Sequence, residues 1–218
     1  MAHFDNNNIL TPSMASIVVA PVNHRRKNEQ IDAILFDLSK AFDKVSHTRL
    51  LMKLDNYGVI GKTLKRVQGF LADRTQRVVL EGSHSRTSLV TSGVPQGSVL
   101  GPPLFLAFIN DLPSRVKFRT GMFADDCLLD RKIKNQDDAR ALKNDIDSLQ
   151  VCEKEWQMEF NAAKCEVIRI TTKRNPIIFP YQIHQTTLNA TNQAKYIGVT
   201  IIPDLSWKCH IDNITKKP

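Results

Sequence analysis

The sequence has no apolar run approaching the about 18 residues that a bilayer requires, so no membrane partner is expected. Its start lacks the basic, apolar and small-residue order of a signal peptide. An intracellular setting is therefore the expectation, nucleus and cytoplasm undistinguished. The four cysteines, Cys127, Cys152, Cys165 and Cys209, include no C-x-x-C pair, which argues against a zinc ribbon. They read instead as small buried hydrophobes in a reducing compartment. The six histidines are scattered. No Ser-His-Asp or Cys-His set stands out, so chemistry through a covalent nucleophile is not indicated. Internal repeats, low-complexity segments and a long basic tail are all absent.

What is present is ordinary globular material. The 218 residues are 42% hydrophobic and 24% charged, enough for one sizeable domain or a domain with an appendage. The formal net charge of +8 suits a polyanionic partner, although many soluble proteins are basic without one. The surplus is spread over Arg25-Arg26-Lys27, Arg131-Lys132-Ile133-Lys134, Lys173-Arg174 and Lys216-Lys217.

Residues 1–30 are polar and weakly patterned. Asn6-Asn7-Asn8 reads as a loop, and 13–22 as either a short helix or a strand. Ala33-Ile34-Leu35-Phe36 is a continuous apolar run and predicts a buried strand ending on Asp37. A helical stretch is expected from Ser39, then a second helix capped by Ser46. In that helix Leu50, Leu51, Leu54 and Tyr57 share a face, and Gly58 is the stop. Leu64, Val67, Phe70 and Leu71 mark another amphipathic helix. Residues 77–81 and 87–91 predict strands paired across Gly82-Ser83. Residues 92–101 form a Gly- and Pro-rich loop of the kind that lets backbone approach a ligand, and 104–109 predicts a helix. Leu142, Ile146, Leu149, Cys152 and Trp156 keep helical spacing, a core stripe on a long helix. Strands are expected over 165–171, 177–184 and 196–202, and a helix within 205–217.

Phe123-Ala124-Asp125-Asp126 puts two adjacent carboxylates at a predicted strand–turn–strand. On these residues alone a water-facing Asp-Asp turn is the commoner reading. The alternative is a cation between like charges that otherwise repel. Asp37 ends a strand of its own. If the fold makes the two strands neighbours, three carboxylates converge on one sheet edge. Hard oxygens of this kind suit Mg²⁺. A pair of such ions about 3.5–4 Å apart activates an attacking hydroxyl and steadies a leaving oxygen. Phosphoryl transfer asks for that positioning and charge neutralisation, and for no covalent nucleophile.

Longer motifs carry a resemblance. Phe36-Asp37-Leu38-Ser39-Lys40-Ala41-Phe42-Asp43 resembles the first palm motif of reverse transcriptases from LINE-type, jockey-like non-LTR retrotransposons. Ser92-Gly93-Val94-Pro95-Gln96-Gly97-Ser98-Val99-Leu100-Gly101-Pro102 resembles their second, and Phe123-Ala124-Asp125-Asp126 their third. Phe160-Asn161 with Lys164-Cys165, then Lys195-Tyr196-Ile197-Gly198-Val199, then Leu205-Ser206-Trp207 follow in the family's order. The resemblance implies an α+β fold, an antiparallel palm sheet with helices on one face and a partial fingers element. It divides the chain into a diverged or truncated fingers remnant (1–30), the palm with finger elements (31–202) and the start of a truncated thumb (203–218). No endonuclease precedes these, and Pro103 and Asp130 stand where apolar or aromatic residues are usual in the family. A fragment of a longer reading frame is therefore expected.

The activity implied is RNA-directed DNA polymerisation, adding dNTPs to a DNA primer on an RNA template with two Mg²⁺ ions, Mn²⁺ as a substitute. By resemblance Asp37 and Asp125 would hold both ions, Asp126 would support them, and the Leu38 carbonyl would be a further ligand. Phe42 matches the bulky residue that excludes a ribonucleotide; otherwise it is a core aromatic. Gln96 and Gly97 match residues lining the template and nucleotide pocket, or else form a plain turn. Lys164 matches a lysine beside the leaving pyrophosphate, or else is a solvated surface residue. Tyr196, Ile197 and Gly198 would lie in the hairpin that supports the primer end. Three other readings compete: a catalytically dead nucleic-acid-binding remnant, an RNA-dependent RNA polymerase (against which Phe42 speaks), and an unrelated domain with chance acidic turns. Wide separation of Asp37 from Asp125 would favour the last.

Overall fold

The computed structural model describes residues 28–116, 119–123 and 125–216. The expectations for Asn6-Asn7-Asn8, for 13–22 and for nearly all of the fingers segment lie outside those residues. The described residues divide into two compact units, those within 28–38, 113–151 and 160–216, and those within 39–112 and 152–159.

The first unit is built on a five-stranded sheet in the order Asn189–Thr191, Glu166–Thr171, Gln30–Asp37, Asp126–Lys132, Arg119–Phe123. The apolar run of Gln30–Asp37 takes the centre, buried on both faces, as a continuous hydrophobic strand must be. Both of its neighbours run antiparallel to it. The short edge strand Asn189–Thr191 is parallel to Glu166–Thr171, an addition to the expected antiparallel sheet. Side chains alternate across a strand. On one face Ile31, Ala33 and Leu35 join Leu128, Ile168 and Ile170 in a core sealed by Ala194 and Tyr196. Those last two belong to a hairpin, Ala194–Tyr196 paired with Val199–Ile201. A single strand was expected over 196–202; the left-handed Ile197 and Gly198 (φ 50° and 76°) reverse the chain instead.

The other face of the central strand carries a polar cluster. Asp32 is fully buried. Gln30 Nε2 and the Tyr181 hydroxyl each donate to its carboxylate at 2.9 Å, and Arg169 Nε lies 3.9 Å away. Burial raises the Asp32 carboxyl above its usual range despite these partners. Gln30 also donates to the Ile177 carbonyl and accepts from the Ile177 amide, both at 2.8 Å. This explains why 177–184 is not the expected strand: Ile177 spends its main-chain groups on a side chain. Only Gln182–Ile183 makes a ladder, with Thr186–Thr187. The cluster also fixes register, since a one-residue slip would turn Asp32 to the apolar face.

The long helix Gln136–Trp156 buries Leu142, Ile146, Leu149 and Cys152, the expected stripe. Its cap was not foreseen. Asn135 Oδ1 accepts the Asp138 N–H at 2.9 Å, and Asp138 accepts from Arg131 at 2.6 Å and from the Lys134 N–H at 3.0 Å. The Arg131 hydrogen bond holds the Asp138 carboxyl below its usual range. A depressed carboxylate stabilises the fold above its unfolded pKa, and that contribution is lost as pH falls through the folded value. Asp138→Asn is therefore expected to flatten the acid limb of the stability curve below about pH 4 in urea melts. Asn135→Ala should cost about 1 kcal/mol at neutral pH.

In the second unit Ser39–Lys44 forms turns rather than the expected helix. Lys40 is left-handed (φ 51°), and the Asp43 and Lys44 amides both donate back to its carbonyl at 3.0 Å. Helix His47–Asn56 starts where expected, but Ser46 makes no side-chain cap. Lys53 on this helix is buried, 3.5 Å over the Trp156 ring, and donates to Asp111 at 2.5 Å and to the Phe108 carbonyl. Helix Gly61–Leu71 follows. The expected hairpin is instead two short ladders, Thr75–Gln76 with Ser88–Leu89 and Val79–Leu80 with Ser83–His84. Its tip is Glu81-Gly82, one residue earlier than read, because both adopt the positive φ that such a turn needs. Pro103 lies in the first turn of helix Gly101–Ile109, where an amide N–H has no helical partner anyway.

Candidate active site

The last residue of the central strand, Asp37, stands directly across from Asp126 in the antiparallel ladder. The hairpin made by Arg119–Phe123 and Asp126–Lys132 pairs Phe123 with Asp126, which leaves Asp125 in its turn. The separation that would favour chance acidic turns is therefore not found. Like charges placed opposite each other destabilise a sheet. The Asp126 carboxyl registers this: its pKa is raised by the crowding of protein around it, then by the charge of Asp125, and less by Asp37. Working the other way, the nearby Ile197 backbone lowers it. Asp126 as a residue nevertheless remains exposed.

Lys164 is delivered to the same edge by local turns. The Asn161 N–H donates to the Asp37 carbonyl at 2.8 Å, and the Lys164 and Cys165 amides donate to the Asn161 carbonyl. Leu38 is buried and bridges Phe160, whose ring lies 4.9 Å from that of Phe36. Lys164 Nζ comes within 3.8 Å of Asp37 Oδ2, both side chains well exposed, so the pair adds little to stability. Tyr196 is buried on the sheet, and Ile197 and Gly198 form the adjoining turn. Asp37, Asp126, Lys164 and Ile197 are thus brought together.

Phe42, Gln96 and Gly97 belong to the second unit. Phe42 is half-buried and stacks on Phe105, with ring centroids 4.6 Å apart. Gln96 and Gly97 are exposed, Gly97 with φ 76°. The residue that reading the loop as a ligand cradle missed is Gly93. Its N–H donates to the Val45 carbonyl and the Val94 N–H to the Phe42 carbonyl, each at 2.8 Å. Its own carbonyl meets His47 Nε2 at 2.8 Å. This glycine therefore joins the first and second motifs backbone to backbone. Only the Ser-Gly-Val wording hinted at it.

Among the described residues no three His, Cys, Asp or Glu side chains are disposed as a metal-holding set. The donor chemistry of Asp37, Asp125 and Asp126 is nonetheless that of a hard divalent cation.

A family model described as reverse transcriptase (RNA-dependent DNA polymerase) matches residues 2–201. The chain belongs to the reverse transcriptase family. It is 30% identical over 205 residues to a probable RNA-directed DNA polymerase from transposon BS of Drosophila melanogaster, covering 87% of this chain and 22% of that protein. It is 31% identical over 188 residues to the RNA-directed DNA polymerase from mobile element jockey of the same species, covering 82% of this chain and 20% of that protein. These relatives mark it as a jockey-like, non-LTR reverse transcriptase domain, and it spans about a fifth of their length. Among solved structures, apo telomerase from Candida tropicalis truncated from its C-terminal domain matches with a TM-score of 0.59 at 16% identity. That match covers 88% of this reverse transcriptase chain and 38% of the telomerase chain, and it bears on the fold, which is that of a polymerase palm. No described helix is long and apolar enough to cross a membrane.

Proposed function

We propose that this chain is the RNA-directed DNA polymerase core of a non-LTR retrotransposon, adding dNTPs to a primer 3′ end on an RNA template. The observation that carries the reading is the opposition of Asp37 and Asp126 beside Asp125, in a member of the reverse transcriptase family. Asp37 and Asp125 would hold two Mg²⁺ ions (or Mn²⁺), with Asp126 and the Leu38 carbonyl in support. When bound, the ions supply activation of the primer hydroxyl and neutralisation of phosphate charge. Lys164, tethered beside Asp37, would offset charge on the departing pyrophosphate. The Phe42 ring, backed by Phe105, would exclude a 2′-hydroxyl by volume. Gln96 and Gly97 would line the template and nucleotide pocket. Hairpin 194–201 would support the primer end. Contacts to the duplex would go to phosphates, sugars and A-like shape, since any sequence must be copied. Residues 31–202 would make up the palm with its finger elements, and 203–218 the first part of the thumb.

The test is primer extension by the purified chain on an RNA template with Mg²⁺, offering dNTPs or NTPs. Extension with dNTPs and not NTPs is expected. Salt-sensitive binding of primer–template without any extension would overturn the polymerase reading.

A further inference from the structure

Segment 92–94 takes up the main-chain carbonyls of stretch 42–45 almost one by one. The Val94 N–H donates to the Phe42 carbonyl, the Ser92 hydroxyl to the Asp43 carbonyl and the Gly93 N–H to the Val45 carbonyl, each at 2.8 Å. One bond runs the other way, between His47 Nε2 and the Gly93 carbonyl, also at 2.8 Å. A carbonyl can only accept, so Nε2 carries the hydrogen and donates it. Gly93 is buried, and a buried acceptor that loses its donor bears the full cost of desolvation. The ring is rooted in the first turn of helix His47–Asn56, which is seated by the buried Leu50 and Leu54. His47 itself lies outside both motifs, which end at Asp43 and begin at Ser92.

What the link controls stands on either side of it. The Phe42 ring stacks on the fully buried Phe105, with centroids 4.6 Å apart. Beyond Val94 the loop is closed by Ser98, whose hydroxyl donates to the Pro95 carbonyl at 2.7 Å and accepts the Gly101 N–H at 2.9 Å. Gln96 and Gly97 are therefore the exposed tip of a loop anchored at both feet. Its first foot, Pro95, directly follows the amide that bonds the Phe42 carbonyl. The ring and the tip are thus placed by one continuous set of bonds, and the His47 donor is the side chain that closes it.

We propose that His47 is a positioning residue: by holding the Gly93 carbonyl it fixes the Phe42 ring relative to the 96–97 tip, and so sets how sharply the site rejects a 2′-hydroxyl. The consequence for nucleotide choice rests on the proposed function; the latch does not. Exclusion by volume works only while the walls hold, and a displacement of about 1 Å is enough to change rates on the order of 10²-fold.

Two substitutions separate the donor from the ring. His47→Phe keeps a ring and removes the donor, whereas His47→Gln keeps an N–H at the reach of Nε2. Amide hydrogen exchange on the whole chain, without nucleic acid or metal, reads the latch. His47→Phe should speed exchange of the Gly93 and Val94 amides by about tenfold or more and leave the Gln30–Asp37 strand unchanged, while His47→Gln should stay within about threefold of wild type. In extension assays His47→Phe should lower the dNTP-over-NTP ratio of kcat/KM by about tenfold or more, with KM for dNTP raised and kcat for dNTP within about threefold. His47→Gln should restore both. If His47→Phe does not fold, His47→Asn, whose amide falls short of the Gly93 carbonyl, is read in the same way. Wild-type exchange at Gly93 and Val94 in the donor-less variant would overturn the latch. Faster exchange with an unchanged dNTP-over-NTP ratio would overturn its link to nucleotide choice. The expected exchange pattern in a chain whose wild type shows no extension would uphold the latch and sink the polymerase reading instead.

Discussion

Asp125→Asn is expected to abolish RNA-templated primer extension while leaving the chain at least as stable as the wild type. The two halves of that expectation come from the same geometry. Asp125 occupies the hairpin turn, one residue from Asp126, which itself faces Asp37 across the ladder. Three carboxylates so placed repel; the Asp126 carboxyl is raised first by burial and then by the charges of Asp125 and Asp37. Neutralising one relieves the repulsion, so the melting temperature should hold or rise. Activity should fall by on the order of 10³-fold or more, the scale seen when one preorganised electrostatic partner is removed from a transition state. A purely structural aspartate would give the opposite pattern, lower stability with activity lost in proportion. Mg²⁺-dependent extension untouched by the substitution would remove Asp125 from the site.

The largest effect on stability is expected at Gly93. A Cβ there would lie 2.8 Å from the Asp43 carbonyl oxygen and 2.9 Å from the Asp43 Cα, and the residue has φ +90°. Both neighbours are backbone atoms, so no side chain can rotate out of the way. The segment cannot back off either, because the Gly93 and Val94 amides are bonded to the Val45 and Phe42 carbonyls. Gly93→Ala should therefore cost about 3 kcal/mol or more, a drop in melting temperature of about 6 °C or more for a chain of this size. Gly97→Ala is the control. It too has positive φ, but open space surrounds its Cβ position, so it should lose only about 1 kcal/mol. Equal stability of the two variants in urea melts would show that the 92–94 segment does not pack as described.

These two residues also show what was legible in the sequence. Asp125 could be read because an acidic pair between apolar runs is a local signal, and the Gln30–Asp37 strand and the Gln136–Trp156 stripe were local in the same way. Gly93 could be placed in a loop, but its reason is a backbone nearly fifty residues earlier, which no window of sequence contains. The errors share that cause. Nothing in Lys40 or Ile197 advertises a left-handed conformation, so the sequence from Ser39 spells a helix where the chain turns, and 196–202 spells one strand where it makes a hairpin. Asp32 carries no local signal, because Tyr181, which donates to it, lies 149 residues away. Of the candidate site, the individual acids were visible beforehand. Their opposition across a ladder is a product of the fold.

The polar cluster behind the central strand bears on how such a reading frame degrades as it is inherited. Gln30, Asp32, Arg169 and Tyr181 touch none of the three acids of the candidate site, yet the alignment of Asp37 with Asp126 depends on the strand they hold in place. A descendant copy that keeps Asp37, Asp125 and Asp126 but exchanges Tyr181 or Asp32 should retain the spelling of the site while loosening the strand that carries Asp37. Comparing sister copies at Gln30, Asp32, Arg169 and Tyr181 would separate living elements from silent ones more sharply than counting their acidic motifs.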